Sequence, residues 1–253
     1  MHQPHLFPKR ISARLAPVGN GVTCPWWIRA DDGLCYIVKD DAPPTAPTVR
    51  ASEFFWASVA RVIGLAASIP EVMEDTSGRL LFASRREPAS IGRDHASCLQ
   101  HMLSGQIHDG GKHLSKIYAF DLFCANWDRH PGNYLILNET GALVVFAIDF
   151  SHVALTPSLT VQGFDPLILL NSATRVWFKS VVQPYGHDTA AAIEVINRLE
   201  RLPVMEIETI LTAIPQDWLT SVDRDRILVW WRDGERASRT QLISKGLQDG
   251  TYI

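Results

Sequence analysis

A polar segment near the middle of the chain concentrates side chains that can bind a metal ion and accept a proton. The segment reads Asn126-Trp127-Asp128-Arg129-His130-Pro131-Gly132-Asn133, and Ile148-Asp149-Phe150-Ser151 follows it. Asp128 and Asn133 are five residues apart, and Asn133 and Asp149 are sixteen apart. Converging amide and carboxylate oxygens suit a hard cation such as Mg²⁺. A nearby carboxylate can accept the proton of an attacking hydroxyl.

A hairpin must bring these groups together. The sequence predicts a strand at 134–137, a turn at 138–141 and a strand at 142–148. Such a hairpin returns the chain on itself, so Asn133 and Asp149 meet at one end of it, with Asp128 on the loop before them. A base, an Asn and an Asp on a metal ion are components of a phosphoryl-transfer site.

The N-terminal part offers the remaining components. Lys39 ends a strand that we expect to be buried, and Glu53 lies fourteen residues later, in the first turn of a predicted helix. Glu53 can therefore hold the lysine in a cleft, where it would contact phosphates. The turn Gly19-Asn20-Gly21 could place backbone N–H groups over phosphates, although it has only two of the three usual glycines.

Each of these features also has an ordinary structural interpretation. Asp and Asn in a Pro-Gly loop are typical of turns, Lys39 could end a surface strand, and an acid in a first helical turn is favoured by the helix dipole. Their order along the chain, each on the predicted element that the chemistry requires, favours the functional interpretation.

The predicted elements form an α+β arrangement, with strands first and helices afterwards. Strands at 11–39 and 79–82 enclose a helix from Ser52 to about Gly64. Further helices are predicted near 96–102, from Leu114 to Ala125, and from Phe164 onward. A strand-rich N-terminal part beside a helical C-terminal part predicts a cleft between the two.

Composition excludes several classes of protein. The chain has 253 residues and a formal net charge of −3, which argues against binding to nucleic acid or to an anionic membrane. No apolar run approaches the roughly 20 residues that span a bilayer. The four cysteines form no Cys-x-x-Cys pair, so we expect reduced thiols in a cytoplasmic protein.

With these residues identified, the chain resembles the HipA-like kinases, a divergent branch of the protein-kinase-like superfamily. The catalytic loop of that family has the same D-R-H-x-x-N form, and its metal-binding Asp follows a short hairpin, as Asp149 does here. The resemblance extends to the helix beginning at Ser52-Glu53 and to Ile214-Pro215-Gln216-Asp217-Trp218. It implies one bilobed kinase domain over 1–253, with an N-lobe at about 1–85 and a C-lobe at 86–253.

The resemblance also implies ATP and Mg²⁺ as cofactors. Asp128 would be the catalytic base, Asn133 and Asp149 the metal ligands, and Lys39 the phosphate contact. Leu81-Phe82-Ala83-Ser84 would be the hinge that meets adenine. The best-known members phosphorylate protein serine or threonine, act as bacterial toxins and pair with a helix-turn-helix antitoxin. We therefore expect a protein substrate and a possible antitoxin or regulatory protein on a separate chain. Thr23 would be a candidate for self-phosphorylation.

Other functions stay open at this stage. The same catalytic residues serve small-molecule and lipid kinases, and a pseudokinase would keep the fold as a binding module. His95-x-x-Cys98-x-x-His101 has metal-ligating residue types but lacks the second spaced pair of a zinc site. The arginines and acids between Arg224 and Arg239 predict a solvated helix face, with Trp230 and Trp231 in the core.

Overall fold

The computed structural model describes residues 8–18, 25–41, 49–92, 95–155 and 172–253, which form a mixed α+β structure. The strand-rich part contains β1 (Lys9–Pro17), β2 (Trp26–Ala30), β3 (Cys35–Lys39), α1 (Val49–Val62), β4 (Pro70–Glu74) and β5 (Leu80–Arg85). The remainder contains β6 (Ser90–Gly92), α2 (His95–Leu103), α3 (Gly110–Cys124), β7 (Tyr134–Glu139), β8 (Ala142–Ala147), α4 (Ala173–Val182), α5 (Thr189–Arg201), α6 (Val204–Ala213), α7 (Ser221–Arg232) and α8 (Gly234–Gln248).

The first sheet closes into a barrel in the order β1-β2-β3-β5-β4. Its antiparallel ladder is completed by a short parallel pairing of β1 with β4, where Lys9 lies opposite Met73. The predicted turn between β2 and β3 is present, and Gly33 adopts a φ of 78° that favours glycine. Side chains alternate across a strand, so one face of each strand fills the barrel. The barrel core consists of Ile28, Ala30, Tyr36, Val38, Met73, Leu81 and Ala83.

The opposite face of the barrel packs on a larger core shared by α1 and the later helices. Trp56 of α1 makes edge-to-face contacts with Phe120 and Phe123 of α3, at centroid distances of 6.0 and 6.4 Å. Trp230 and Trp231 are buried in the same core, as predicted. The prediction of a solvated face up to Arg239 is wrong at that residue, because Arg239 is buried with its guanidinium over the Phe123 ring.

The Ile214–Trp218 segment joins the helical part to the barrel. Trp218 Nε1 donates to the carbonyl of Leu80 at 3.2 Å, and Arg50 of α1 donates to the same carbonyl at 2.6 Å. The Arg50 guanidinium also lies 3.3 Å from the Asp217 carboxylate and over the Trp218 ring. Contacts between residues distant in sequence therefore join the strand-rich part of the chain to the helical part.

The predicted elements agree with the structure in type, but some boundaries differ. α1 begins at Val49 rather than Ser52, which moves Glu53 from the first helical turn to the second. Sequence analysis missed β4, whose five residues include only two apolar aliphatic side chains. Within the described residues, no helix combines the length and apolarity needed to cross a membrane.

The expectation that Leu81–Ser84 forms a hinge is corrected by the sheet register. These residues lie inside β5, which is hydrogen-bonded to β3 on one side and β4 on the other. Phe82 packs into the main core and Ala83 into the barrel core, and both are buried. The pair therefore presents no surface to an adenine ring, and the chain leaves the barrel only after Arg85.

Candidate active site

A buried arginine organises the loop between α3 and β7. The Arg129 guanidinium makes a bidentate ion pair with Asp121 of α3, with N–O distances of 2.8 and 2.9 Å. Its Nη1 donates to the carbonyl of Asn133, at 2.8 Å, and to that of Ile148. Arg129 therefore connects α3, the end of the loop and the end of β8, which are three separate parts of the chain.

Thr174 at the start of α4 holds the same loop from the other side. Its hydroxyl accepts from the backbone N–H of Arg129 at 2.9 Å and donates to the carbonyl of Asn126 at 2.7 Å. The Asn126 side chain in turn donates to Asp121 at 2.9 Å. These bonds fix the backbone on both sides of Asp128.

The Asp128 carboxylate lies at the surface of this loop, with 42% of the side chain exposed. One of its oxygens is 3.8 Å from Nε2 of His152, a residue beyond β8. The Asp128 carbonyl accepts from the side-chain amide of Asn133 at 2.9 Å. A carboxylate on an anchored backbone, open to solvent, can meet an incoming hydroxyl.

The hairpin of β7 and β8 brings Asn133 beside Asp149, as its sequence spacing predicts. The carbonyl of Asn133 accepts from the N–H of Ile148, the residue before Asp149, at 3.1 Å. The side-chain nitrogen of Asn133 donates to the Asp128 carbonyl. The side-chain oxygen of Asn133 is not part of this bond and can bind another group. Asp149 has a φ of 62°, in the left-handed region that costs energy for residues other than glycine.

Lys39 lies between two carboxylates. Its ammonium contacts Glu53 of α1 and lies 2.9 Å from Oδ1 of Asp149. The second oxygen of Glu53 accepts from the N–H of Phe150 at 2.9 Å, so α1 is tied to the segment after β8. Ser151 donates from its hydroxyl to Asp149 Oδ1 at 2.5 Å.

The two acids that contact Lys39 have opposite pKa shifts. Burial raises the pKa of Glu53 to about 7, although Lys39 opposes that shift. Burial also disfavours the ionised form of Asp149, but the charge of Lys39 and the hydrogen bonds from Ser151 and Lys39 together outweigh burial and hold the Asp149 pKa well below its usual range. When both acids are ionised, the three groups carry a net negative charge, which favours a bound cation.

The sequence-predicted residues divide into three groups. Lys39 contacts both Glu53 and Asp149, and Asn133 contacts Asp128 and pairs through its backbone with Ile148, the residue before Asp149. Phe82 and Ala83 lie buried in β5, apart from any open surface. Gly19, Asn20, Gly21 and Thr23 lie outside the described residues.

Sequence analysis missed the supporting groups of the site. The three that hold the loop are Asp121, Arg129 and Thr174. Asp121 carried a usable signal, because it is an acid within the apolar run of α3, and a fully buried acid needs a partner. Thr174 carried no such signal, because its partners are more than forty residues away in sequence.

The cysteine and histidine residues of α2 have other partners than a metal. Cys98 donates from Sγ to the carbonyl of Tyr134 at 3.4 Å, and the His95 ring stacks on His130 at 5.5 Å. Over the part of the chain that the structure describes, no group of three or more metal-ligating side chains is present. Within that part, the structure does not bring the His95–Cys98–His101 residues into a metal site.

Comparisons with known proteins agree with this architecture. A family model described as HipA-like kinase matches residues 11–228. The proinflammatory kinase CtkA of Helicobacter pylori superposes with a TM-score of 0.59 over 95% of this chain and 96% of that chain, at 13% identity. A search of curated proteins found no match.

Two further solved structures have similar folds. HipA from Shewanella oneidensis MR-1, in a toxin–antitoxin complex with HipB and operator DNA, has a TM-score of 0.50 over 97% of this chain and 68% of that chain, at 11% identity. An N-terminal 618-residue fragment of LepB from Legionella pneumophila has a TM-score of 0.55 over 86% of this chain and 46% of that chain, at 14% identity. At such identities the superpositions establish similarity of fold alone.

Proposed function

The chain belongs to the HipA-like kinase family, and from this premise we propose that it is an ATP- and Mg²⁺-dependent protein kinase. It transfers the γ-phosphoryl group to a serine or threonine hydroxyl of a protein substrate. In this proposal the barrel and α1 form the N-lobe of a bilobed kinase domain, at about 1–85. The later elements form the C-lobe, at 86–253.

The observation that carries the proposal is the position of Lys39 between Glu53 and Asp149. A lysine at a surface strand end would extend into water, because hydration of an ammonium group is strongly favourable. Lys39 is instead buried and paired with acids from α1 and from the segment after β8. Burial of one cation between two acids is a costly arrangement for stability alone, so it favours a functional site.

Asn133 and Asp149 fit a magnesium site. Asn133 and Asp149 both carry hard oxygen donors, and the backbone pairing of Asn133 with Ile148 places the two residues at the same end of the hairpin. When bound, Mg²⁺ would neutralise charge on the transferring phosphoryl group. Lys39 would contact the phosphates, while Glu53 keeps the lysine in position.

The barrel register supplies a surface for the nucleotide base. Ile37 is two residues from Lys39 on β3 and shares its face of the sheet, and Trp27 of β2 lies opposite Ile37. Both side chains are partly exposed, and the Arg86 guanidinium lies 5.3 Å from the Trp27 ring centroid. In place of Phe82 and Ala83, we propose Trp27 and Ile37 as the residues that contact adenine.

Asp128 is the proposed catalytic base. Its carboxylate is open to an acceptor, while Thr174 holds the backbone on either side and the Asn133 amide holds the Asp128 carbonyl. An incoming hydroxyl would hydrogen-bond to the carboxylate and be oriented toward the phosphoryl group. Positioning and neutralisation of charge would supply most of the rate enhancement.

The proposal is tested with γ-labelled ATP and Mg²⁺, comparing the native protein with Asp149→Asn. We expect the variant to lose about 100-fold or more in phosphate transfer, because the neutral amide binds a cation weakly. Asp225→Asn, on the exposed surface of α7, is the matched control and should transfer phosphate normally. Nucleotide binding without transfer to any protein would favour a pseudokinase or a small-molecule kinase, and absence of nucleotide binding would contradict the proposal.

We further propose a regulatory protein on a separate chain and a cytoplasmic location. The HipA of Shewanella oneidensis MR-1 is seen in a complex with HipB. The thiols of Cys35 and Cys124 form no disulfide among the described residues, which agrees with a reducing compartment. Co-purification of the full chain with the products of adjacent genes would test for such a partner.

A further inference from the structure

Trp127 is an unusual exposed residue beside the proposed base. Its side chain is 57% exposed, although tryptophan is usually well buried. It immediately precedes Asp128 in the loop. Single exposed apolar side chains are common on protein surfaces, but Trp127 lies next to the proposed catalytic carboxylate, where a bound substrate would contact it.

The Trp127 ring is held in one orientation. Its indole N–H donates to the carbonyl of His152 at 3.2 Å, and the two rings meet edge to face at 6.3 Å. The polar atom of the indole is thus satisfied by the protein, while its apolar surface remains open. A rigid aromatic side chain with its hydrogen bond already formed loses little conformational entropy when a ligand covers it.

The same pair of rings borders the carboxylate. The His152 imidazole lies 3.8 Å from the Asp128 carboxylate. His152 belongs to the segment that follows Asp149. A hydroxyl bound at Asp128 therefore arrives beside Trp127 and His152. The group next to that hydroxyl in the substrate would rest on the indole.

Charge decides which side chain fits this surface. Asp128 lies 3.8 Å from His152, and in the proposed reaction its carboxylate is occupied by the acceptor hydroxyl. A lysine or arginine lying against the two rings would have to give up part of the hydration of its charge. An apolar or aromatic side chain avoids that cost and gains from stacking on the indole.

Resting on the proposed kinase activity, we propose that Trp127 and His152 form an acceptor platform that selects polypeptides with an aromatic or large aliphatic residue next to the target serine or threonine. The platform determines specificity for the acceptor. It makes no contact with the nucleotide, whose phosphates lie at Lys39.

A peptide panel tests this selection. Serine peptides with Phe, Leu, Lys or Gly beside the serine, in an otherwise constant background, are compared as substrates with labelled ATP and Mg²⁺. We expect the Phe and Leu peptides to exceed the Gly peptide by about tenfold in kcat/KM. Trp127→Ala should abolish that preference through the KM for peptide and leave the KM for ATP unchanged, whereas Trp127→Phe should retain most of it.

The control is Met205→Ala, which removes another exposed apolar side chain, on α6. It should leave the preference intact. Preference of the native protein for the Lys peptide would overturn the proposal. An unchanged Phe-to-Gly ratio in Trp127→Ala would overturn it too.

A binding measurement tests the platform without phosphate transfer. In a ¹H–¹⁵N spectrum of the indole groups, the Trp127 resonance is identified by its loss in Trp127→Phe. The Phe peptide should shift this resonance at about tenfold lower concentration than the Gly peptide. No shift with either peptide would overturn the platform, whereas a shift without any phosphate transfer would contradict the kinase activity and leave the platform in place.

Discussion

At the scale of single residues, Arg129 is the side chain on which the site most depends. It satisfies the buried Asp121 and donates to the carbonyls of Asn133, a proposed magnesium ligand, and of Ile148, the residue before the other proposed ligand. A lysine could not replace it, because only the planar guanidinium makes these bonds at once. The proposed catalytic residues therefore depend for their positions on Arg129, which takes no direct part in the proposed reaction.

Arg129→Met is expected to lower the free energy of unfolding by about 3–5 kcal/mol, because Asp121 is left buried without its cation. Urea denaturation measures this. Arg232→Met, which breaks an exposed pair with Glu208, should cost about 1 kcal/mol or less. The double variant Arg129→Met/Asp121→Leu should recover part of the stability and none of the phosphate transfer. Equal losses for Arg129→Met and Arg232→Met would disprove this assignment.

His187 provides a prediction about pH. Burial lowers its pKa below the ordinary value of 6.5, although Asp188 opposes the shift, and its Nε2 is buried with no hydrogen-bond partner among the described residues. Below pH 6.5 the unfolded chain takes up a proton that the folded chain resists. The contribution of neutral His187 to stability is therefore present at neutral pH and is lost as the pH falls.

Urea denaturation at pH 7.5 and 5.5, about one unit on either side of that value, measures this contribution. The loss of stability on acidification should be smaller for His187→Gln than for the native protein. His108→Gln, at an exposed position, should leave the native loss unchanged. If both variants respond to pH as the native protein does, the buried imidazole is not responsible.

At the scale of secondary structure, helix ends and close approaches set the positions of the elements. Asp188 and Thr220 accept from backbone N–H groups at the starts of α5 and α7. Gly246 on α8 allows the Tyr252 ring to lie against the helix, where a Cβ atom would be 2.2 Å from that ring. The Tyr252 carbonyl then accepts from the hydroxyl of Tyr118 on α3.

Two glycines of α8 form a matched pair for mutation. Gly246→Ala should destabilise the protein by about 1–3 kcal/mol, because the Tyr252 ring must move. Gly234→Ala should be neutral or stabilising by up to about 1 kcal/mol, because nothing lies within 4 Å of the added methyl group. Thermal denaturation compares the two, and a more harmful change at Gly234 would contradict the packing described here.

At the scale of the whole molecule, the barrel and the helical part share one core and one site, and specific hydrogen bonds join them. Lys39 and Glu53 come from the first part of the chain, and Asp149 comes from the second. Trp218 and Arg50 join the same parts at the Leu80 carbonyl, and Arg198 of α5 joins them by donating to the carbonyl of Ile63 after α1. Loss of one of these bonds should therefore affect both stability and the site.

Trp218→Ala is expected to lower the free energy of unfolding by about 3–5 kcal/mol, because it removes a buried ring between the two parts. It should also weaken nucleotide binding. Trp218→Phe keeps most of the packing and loses only the bond to Leu80, at a cost of about 1 kcal/mol. Urea denaturation and nucleotide affinity are both measured for each variant. Normal nucleotide binding by Trp218→Ala would show that the contacts of Trp218 do not position the site.

The sequence by itself determined the elements and the residues that could do chemistry. Periodicity identified α1 and the apolar part of α3, and turn residues identified the hairpin that carries Asn133 toward Asp149. Such signals are local, because side-chain alternation and turn chemistry act over a few residues. They could not detect β4, whose identity as a strand depends on its pairing with β5 and β1.

Only the tertiary structure decided what surrounds those residues. The burial of Ala83 depends on the closure of the barrel, and the burial of Phe82 and Arg239 depends on packing of the helical core. Arg129 bonds to Asp121 and Thr174, and His152 contacts Asp128. No helical or strand periodicity in the sequence predicts these pairs. The reason is physical: burial and pairing are properties of the packed chain, and a local pattern constrains only the segment that contains it.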